Sequence, residues 1–310
     1  MKKSALAFAC SAFVAVLASF ANAQTDFLVK DGNITNAANW SAGLPTTPEN
    51  PGTIAIDGKI PATSSVNWTL YITQTAGTLL FTGIGYEFKL VGGSFTQDGG
   101  TWANNTERGF YISSSNITTI ISGTVNSGAK GHTTIQSGAS MTVNGGTFAQ
   151  FGSNRQVYIS DGGKLIVNGG TVQAIAVTNT TSAKTGGILA FNGGTTTANN
   201  FNFARASSVT FGGTSAGSVT AGTFTGATFD WLTGTHMSLT LTNTPGVWAE
   251  AEWVANRLLY NGQSASALGK TWAEVTALGG LGPKTYFNFT GTTLSLVTIT
   301  YPPGTLIRFQ

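Results

Sequence analysis

The sequence predicts an all-β chain, a right-handed parallel β-helix (solenoid) of 23–24-residue coils with a small mixed α/β C-terminal cap. Two repeating patterns and the composition predict it. The tetrapeptide small-Gly-Thr-X recurs as Ala76-Gly77-Thr78-Leu79, Gly99-Gly100-Thr101-Trp102, Ser122-Gly123-Thr124-Val125, Gly145-Gly146-Thr147-Phe148, Gly169-Gly170-Thr171-Val172 and Gly193-Gly194-Thr195-Thr196, then loosely as Ala221-Gly222-Thr223-Phe224. Its steps are 23, 23, 23, 24, 24 and 28 residues, and a fixed period of this size marks stacked supersecondary units. Apolar columns keep the same step: Ile112, Ile135 and Ile159; Met141, Leu165 and Leu189; Val143, Val167 and Phe191. Charged residues are only 9% of the chain and glycine is 41 of 310 residues. That composition suits short strands joined by glycine turns rather than disorder, because aromatic and β-branched residues supply surface to bury.

Each coil holds two or three short strands, so equivalent residues stack about 4.8 Å apart. Parallel crossovers are almost always right-handed, hence the expected hand. The Asn-Gly-Gly triplets fit a turn that needs positive φ, and Asn144, Asn168 and Asn192 are placed to form an amide ladder along the axis. The threonine column suits a strand start. The frame of a leucine-rich repeat is missing.

Met1-Lys2-Lys3, the apolar run Ala5–Phe20 and Ala21-Asn22-Ala23 read as a cleavable signal peptide over residues 1–23. Cys10, the only cysteine, would leave with it, so the mature chain is expected to have no disulfide. Loss of Lys2 and Lys3 would take the formal charge from +3 to +1. With no basic cluster, neither nucleic acid nor an anionic membrane is an expected partner.

The mature chain divides into residues 24–243, a β-helix with an N-terminal capping coil around Trp40 and its prolines, and a cap over 244–310. In the cap, Thr244-Pro245 reads as a helix start, with Val247, Trp248, Ala251, Val254, Ala255, Leu258 and Leu259 at helical spacing and Asn261-Gly262 as its stop. Thr271-Trp272-Ala273-Glu274 reads as a capping box opening a second short helix, and 286–289 and 293–297 alternate as terminal strands.

Asn39-Trp40-Ser41-x-Gly43-x-Pro45, the Asn-Gly-Gly-Thr coils and Leu258-Leu259-Tyr260-Asn261-Gly262 resemble exported bacterial right-handed β-helix repeat proteins, of autotransporter passenger or surface-repeat type. The resemblance implies a chain exposed outside the cell, secreted or on the outer surface, and carries over no catalytic residue. It departs from that pattern in having no translocator-barrel segments after the repeats.

No catalytic set, metal site or cofactor motif is expected. Glycoside hydrolysis needs paired carboxylates facing one cleft, whereas Asp98 and Asp161 read as turn residues. Arg155, Lys164 and Arg205 are isolated, and His132 and His236 have no ligand partners at metal spacing. Trp102, Phe148 and Phe224 fall in one repeat column. They either offer a stacking surface for sugars, which makes Trp102 and Phe148 the ligand-binding candidates, or fill the core. An ice-binding face would need two threonines per coil in register, and only one is visible. The expected function is an extracellular, non-enzymatic structural or adhesive protein that contacts polysaccharide, matrix or other cells. The alternative is a carbohydrate-active enzyme or sugar-binding module on the same scaffold.

Overall fold

The computed structural model describes residues 24–61, 66–82, 87–104, 110–127, 131–150, 156–179, 182–244 and 246–299. The leader expected over residues 1–23, with Cys10, and also Arg155 and Pro245 lie outside the described residues. The chain winds into a parallel β-solenoid of about eight turns with three strand faces per coil. In one coil, Gln156–Ile159 forms face A, Lys164–Val167 face B and 171–174 face C.

Register confirms the columns and extends them. On face B, Ile72, Phe95, Thr118, Met141, Leu165, Leu189, Val209, Phe229 and Leu258 stack in order. Ile120, Val143, Val167, Phe191, Phe211 and Trp231 form the second inward column of that face. All six side chains of this second column are fully buried. Rings stack at the coil step where the columns are aromatic, as in Phe201–Phe224 with centroids 4.3 Å apart and Phe211–Trp231 at 4.4 Å.

The threonine column holds its register from Thr78 through Thr101, Thr124, Thr147 and Thr171 to Thr195. The next rung is not Thr223. Ser218 pairs with Thr195, and Ser238 with Ser218, because Gly217-Ser218-Val219 supplies the same small-hydroxyl-apolar pattern with serine for threonine. Phe224 therefore stacks on Phe201 on face A and does not share the column of Trp102 and Phe148. A second outward threonine column, Thr53, Thr73, Thr96, Thr119 and Thr142, climbs face B. The expectation of one threonine in register per coil is thus corrected, although the two columns lie on different faces.

Both glycines of the corner motif are required, for different reasons. Gly146 has φ +64, a left-handed conformation that β-carbon-bearing residues rarely adopt, whereas the φ of Gly145 is not positive. A β-carbon on Gly145 would still sit 2.4 Å from the Ile121 carbonyl oxygen of the preceding coil. The asparagine before them needs no special φ and serves the ladder instead: Asn168 Nδ2 donates to Asn144 Oδ1 at 2.8 Å, and Asn192 Nδ2 to Asn168 Oδ1 at 2.8 Å.

Each end carries an antiparallel pairing on one face. At the start, Phe27 forms an antiparallel bridge with Trp40, and Trp40 Nε1 donates to the Ile34 carbonyl at 2.7 Å. Asn39 Nδ2 donates to the Asn33 carbonyl at 2.8 Å. The Asn39-Trp40 pair thus caps the open strand edges with its side chains and backbone. At the other end the hairpin Thr285–Thr290 and Thr293–Thr298 lies antiparallel on Met237–Leu241.

The first cap helix, α1, is Trp248–Val254, shorter than expected and with Val247, not Thr244, at its N-cap. Leu258–Tyr260 is a strand paired with 229–231. Its apolar residues gain more by entering the face B columns beneath Phe229 and Trp231 than by prolonging an exposed helix. Asn261 and Gly262 accordingly form a turn after a strand, not a helix stop. Two further short helices follow, α2 (Ala265–Leu268) and α3 (Trp272–Thr276), and α3 opens with the expected Thr271–Glu274 capping box. Trp231, Trp253 and Trp272 surround Phe287 at 6.0–6.2 Å and plug the end of the core.

Candidate functional site

The aromatic pair expected as a stacking surface lies inside. Trp102 is 1% exposed, packed against Phe88, Phe95 and Phe110 with centroids 4.3–5.5 Å away. Phe148 is 0% exposed. Both follow an outward threonine, so strand alternation turns them inward. They fill the core and present nothing to a ligand.

The aromatic residues on the outside of face A are tyrosines. Lys89, Tyr111, Thr134, Tyr158, Thr178, Asn202 and Thr225 are consecutive rungs of one outward column. Tyr111 and Tyr158 are two coils apart, about 10 Å at the usual strand spacing, with Thr134 buried between them. The Lys89 ammonium sits 5.3 Å from the centroid of the Tyr111 ring and 2.8 Å from the Glu87 carboxylate. His132 accepts the Gln156 backbone N–H through Nδ1 at 3.1 Å, and its ring lies 4.8 Å from that of Tyr158. Burial pushes the Tyr111 phenol above its ordinary value, and the charge of Glu87 and a hydrogen bond to it push the same way. The phenol is therefore a neutral hydrogen-bonding group throughout the physiological range. The strip offers two aromatic platforms and an ammonium in one column along the axis, with the Glu87 carboxylate and the His132 imidazole two residues before Lys89 and Thr134.

The carboxylates weighed for catalysis do not converge. Asp98 accepts from Ser122 Oγ at 3.3 Å on the next coil. Asp161, at φ +52, accepts the backbone N–H groups of Lys184 and Thr185 at 2.8 and 3.1 Å. Asp230 accepts the Gly262 N–H at 2.9 Å. Each braces one coil against its neighbour, and Asp98 and Asp230 stand six coils apart, about 29 Å, far beyond the carboxyl spacing of a glycosidase. Among the described residues no three His, Cys, Asp or Glu side chains gather as metal ligands, and no helix is long and apolar enough to cross a membrane.

The tyrosines were readable in advance. Ile112, Ile135 and Ile159 mark the inward column, so Tyr111, Thr134 and Tyr158, one residue earlier in each strand, must face outward. Compared with known proteins, the chain matches no family model, no curated protein and no solved structure.

Proposed function

We propose that the chain is exported and acts outside the cell as a non-enzymatic adhesive or structural module that holds polysaccharide along the tyrosine strip of face A. The observation that carries this reading is the column Lys89–Tyr111–Thr134–Tyr158, in strict register from coil to coil, with Lys89, Tyr111 and Tyr158 partly exposed. A saccharide chain laid along the axis meets Lys89 and Tyr111 on neighbouring coils and Tyr158 two coils further on, across buried Thr134. Sugar rings stack their C–H faces on Tyr111 and Tyr158, while Glu87, Lys89 and His132 exchange hydrogen bonds with hydroxyls. The leader-like Met1–Ala23 segment and the resemblance to exported repeat proteins support an extracellular setting. Carboxylates used as braces between coils support binding without bond cleavage.

A glycan array probed with the chain from Gln24 onward tests it. Binding to one or more extended glycans is expected, together with its loss in Tyr111→Ala and Tyr158→Ala chains that keep the circular dichroism of the parent. Cleavage of any polysaccharide in the panel, or binding indifferent to both substitutions, would overturn it. Mass spectrometry of the secreted chain should find Gln24 at its N-terminus.

A further inference from the structure

The C-terminal cap carries a groove of about 540 Å³ between α1 and the segment leading from α2 into α3, lined among others by Glu250, Trp253, Asn256, Ser266, Lys270 and Trp272. Its size is that of small-molecule clefts, about 300–1,000 Å³. We propose that this groove is a binding site for a single neutral pyranose ring, seated on Trp272.

Three features carry the proposal. The Trp272 indole lies nearly parallel to Phe287, 24° and 6.0 Å centroid to centroid, so one face is packed and the half-exposed ring has its other side left to line the groove. A flat aromatic face supported from behind suits the apolar C–H face of a sugar. The floor is rigid: buried Trp253 donates its Nε1–H to the Lys270 carbonyl at 2.9 Å, and the Lys270 ammonium donates to the Gly280 carbonyl. The rim mixes donors and acceptors. Asn256, held at φ +57, accepts the Ser266 N–H through Oδ1 at 2.9 Å, a contact that leaves its amide N–H groups unused. Glu250 adds an acceptor and Lys270 and Ser266 add donors. One carboxylate against one ammonium leaves no net field for a polyanion or a cation, which favours a neutral polyhydroxylated ligand. The groove does not depend on the face A strip, which ends several coils earlier along the axis.

The test is an ¹⁵N-correlated NMR titration of the chain from Gln24 onward with methyl β-glucoside, methyl β-galactoside and N-acetylglucosamine, following the indole Nε1–H signals. At least one sugar is expected to shift the Trp272 signal, which is identified by its absence in Trp272→Phe. Asn256→Ala, in a chain whose amide spectrum remains that of the folded protein, is expected to weaken that sugar about fivefold, the effect of one lost hydrogen bond, while Tyr111→Ala leaves the titration as it was. If none of the three sugars moves an indole of the cap, or if Asn256→Ala binds as tightly as the parent, the assignment is wrong.

Discussion

Asn168 is bound on both sides along the axis. It donates to Asn144 and accepts from Asn192, each at 2.8 Å. Asn168→Ala breaks both contacts and is expected to cost about 1–2 kcal/mol, roughly the net worth of two hydrogen bonds. Asn144→Asp keeps the acceptor that Asn168 uses and makes that bond charge-assisted, so it should cost less. Urea unfolding at neutral pH compares them, and a cost for Asp equal to that for Ala would refute the ladder.

Trp102 should act on stability and not on binding. Trp102→Ala empties a buried site among Phe88, Phe95 and Phe110 and is expected to cost about 3–5 kcal/mol. Trp102→Phe should be milder than the lost volume alone implies, since the indole N–H is buried without a partner. Neither variant should change the apparent glycan affinity of the molecules that remain folded.

Tyr111 should ionise late. Its folded value is raised above the ordinary 10.0, first by burial. The stability linked to the neutral phenol is therefore complete below pH 10 and is lost as pH climbs through the raised folded value. Absorbance at 295 nm should resolve a late-titrating tyrosine that disappears in Tyr111→Phe, and that variant should unfold less steeply at high pH.

Glu274 gives the opposite sign. Hydrogen bonds from the Thr271 backbone and side chain hold its carboxyl below the ordinary 4.5. Its contribution is present above that ordinary value and is lost as pH falls through the lowered folded one. Glu274→Gln should flatten the acid limb of unfolding, read by tryptophan fluorescence of the cap.

Trp40→Ala should increase self-association. It removes the indole bond to Ile34 and the ring packed 5.2 Å from Phe27, loosening the cover of the first strand. Light scattering should then show concentration-dependent growth, which Trp40→Phe reduces.

The repeat made the solenoid legible. A column kept at 23–24 residues is a statement about stacking, and Ile112, Ile135 and Ile159 stack as expected. Reading failed where two requirements competed. Leu258 and Leu259 have helical spacing, yet burial under Phe229 drew Leu258 into a strand. Matching Thr223 to the repeat failed because serine replaced threonine at Ser218. Trp102 and Phe148 share a repeat column, and a column of large rings marks the core as readily as a stacking surface. Size favours the core, while alternation one residue away pointed to Tyr111 and Tyr158. The cap groove had no sequence signal, since Asn256, Lys270 and Trp272 meet only through the packing of three short helices.

The reversed strands at Phe27–Trp40 and at Met237–Leu241 make the molecule a ruler with stops at both ends. On those faces the outermost described strand runs against the polarity of the interior, which blunts parallel pairing there. Duplicating one interior coil, such as the 24 residues from Met141 through Lys164, should add a single rung, about 4.8 Å, and leave both stops untouched.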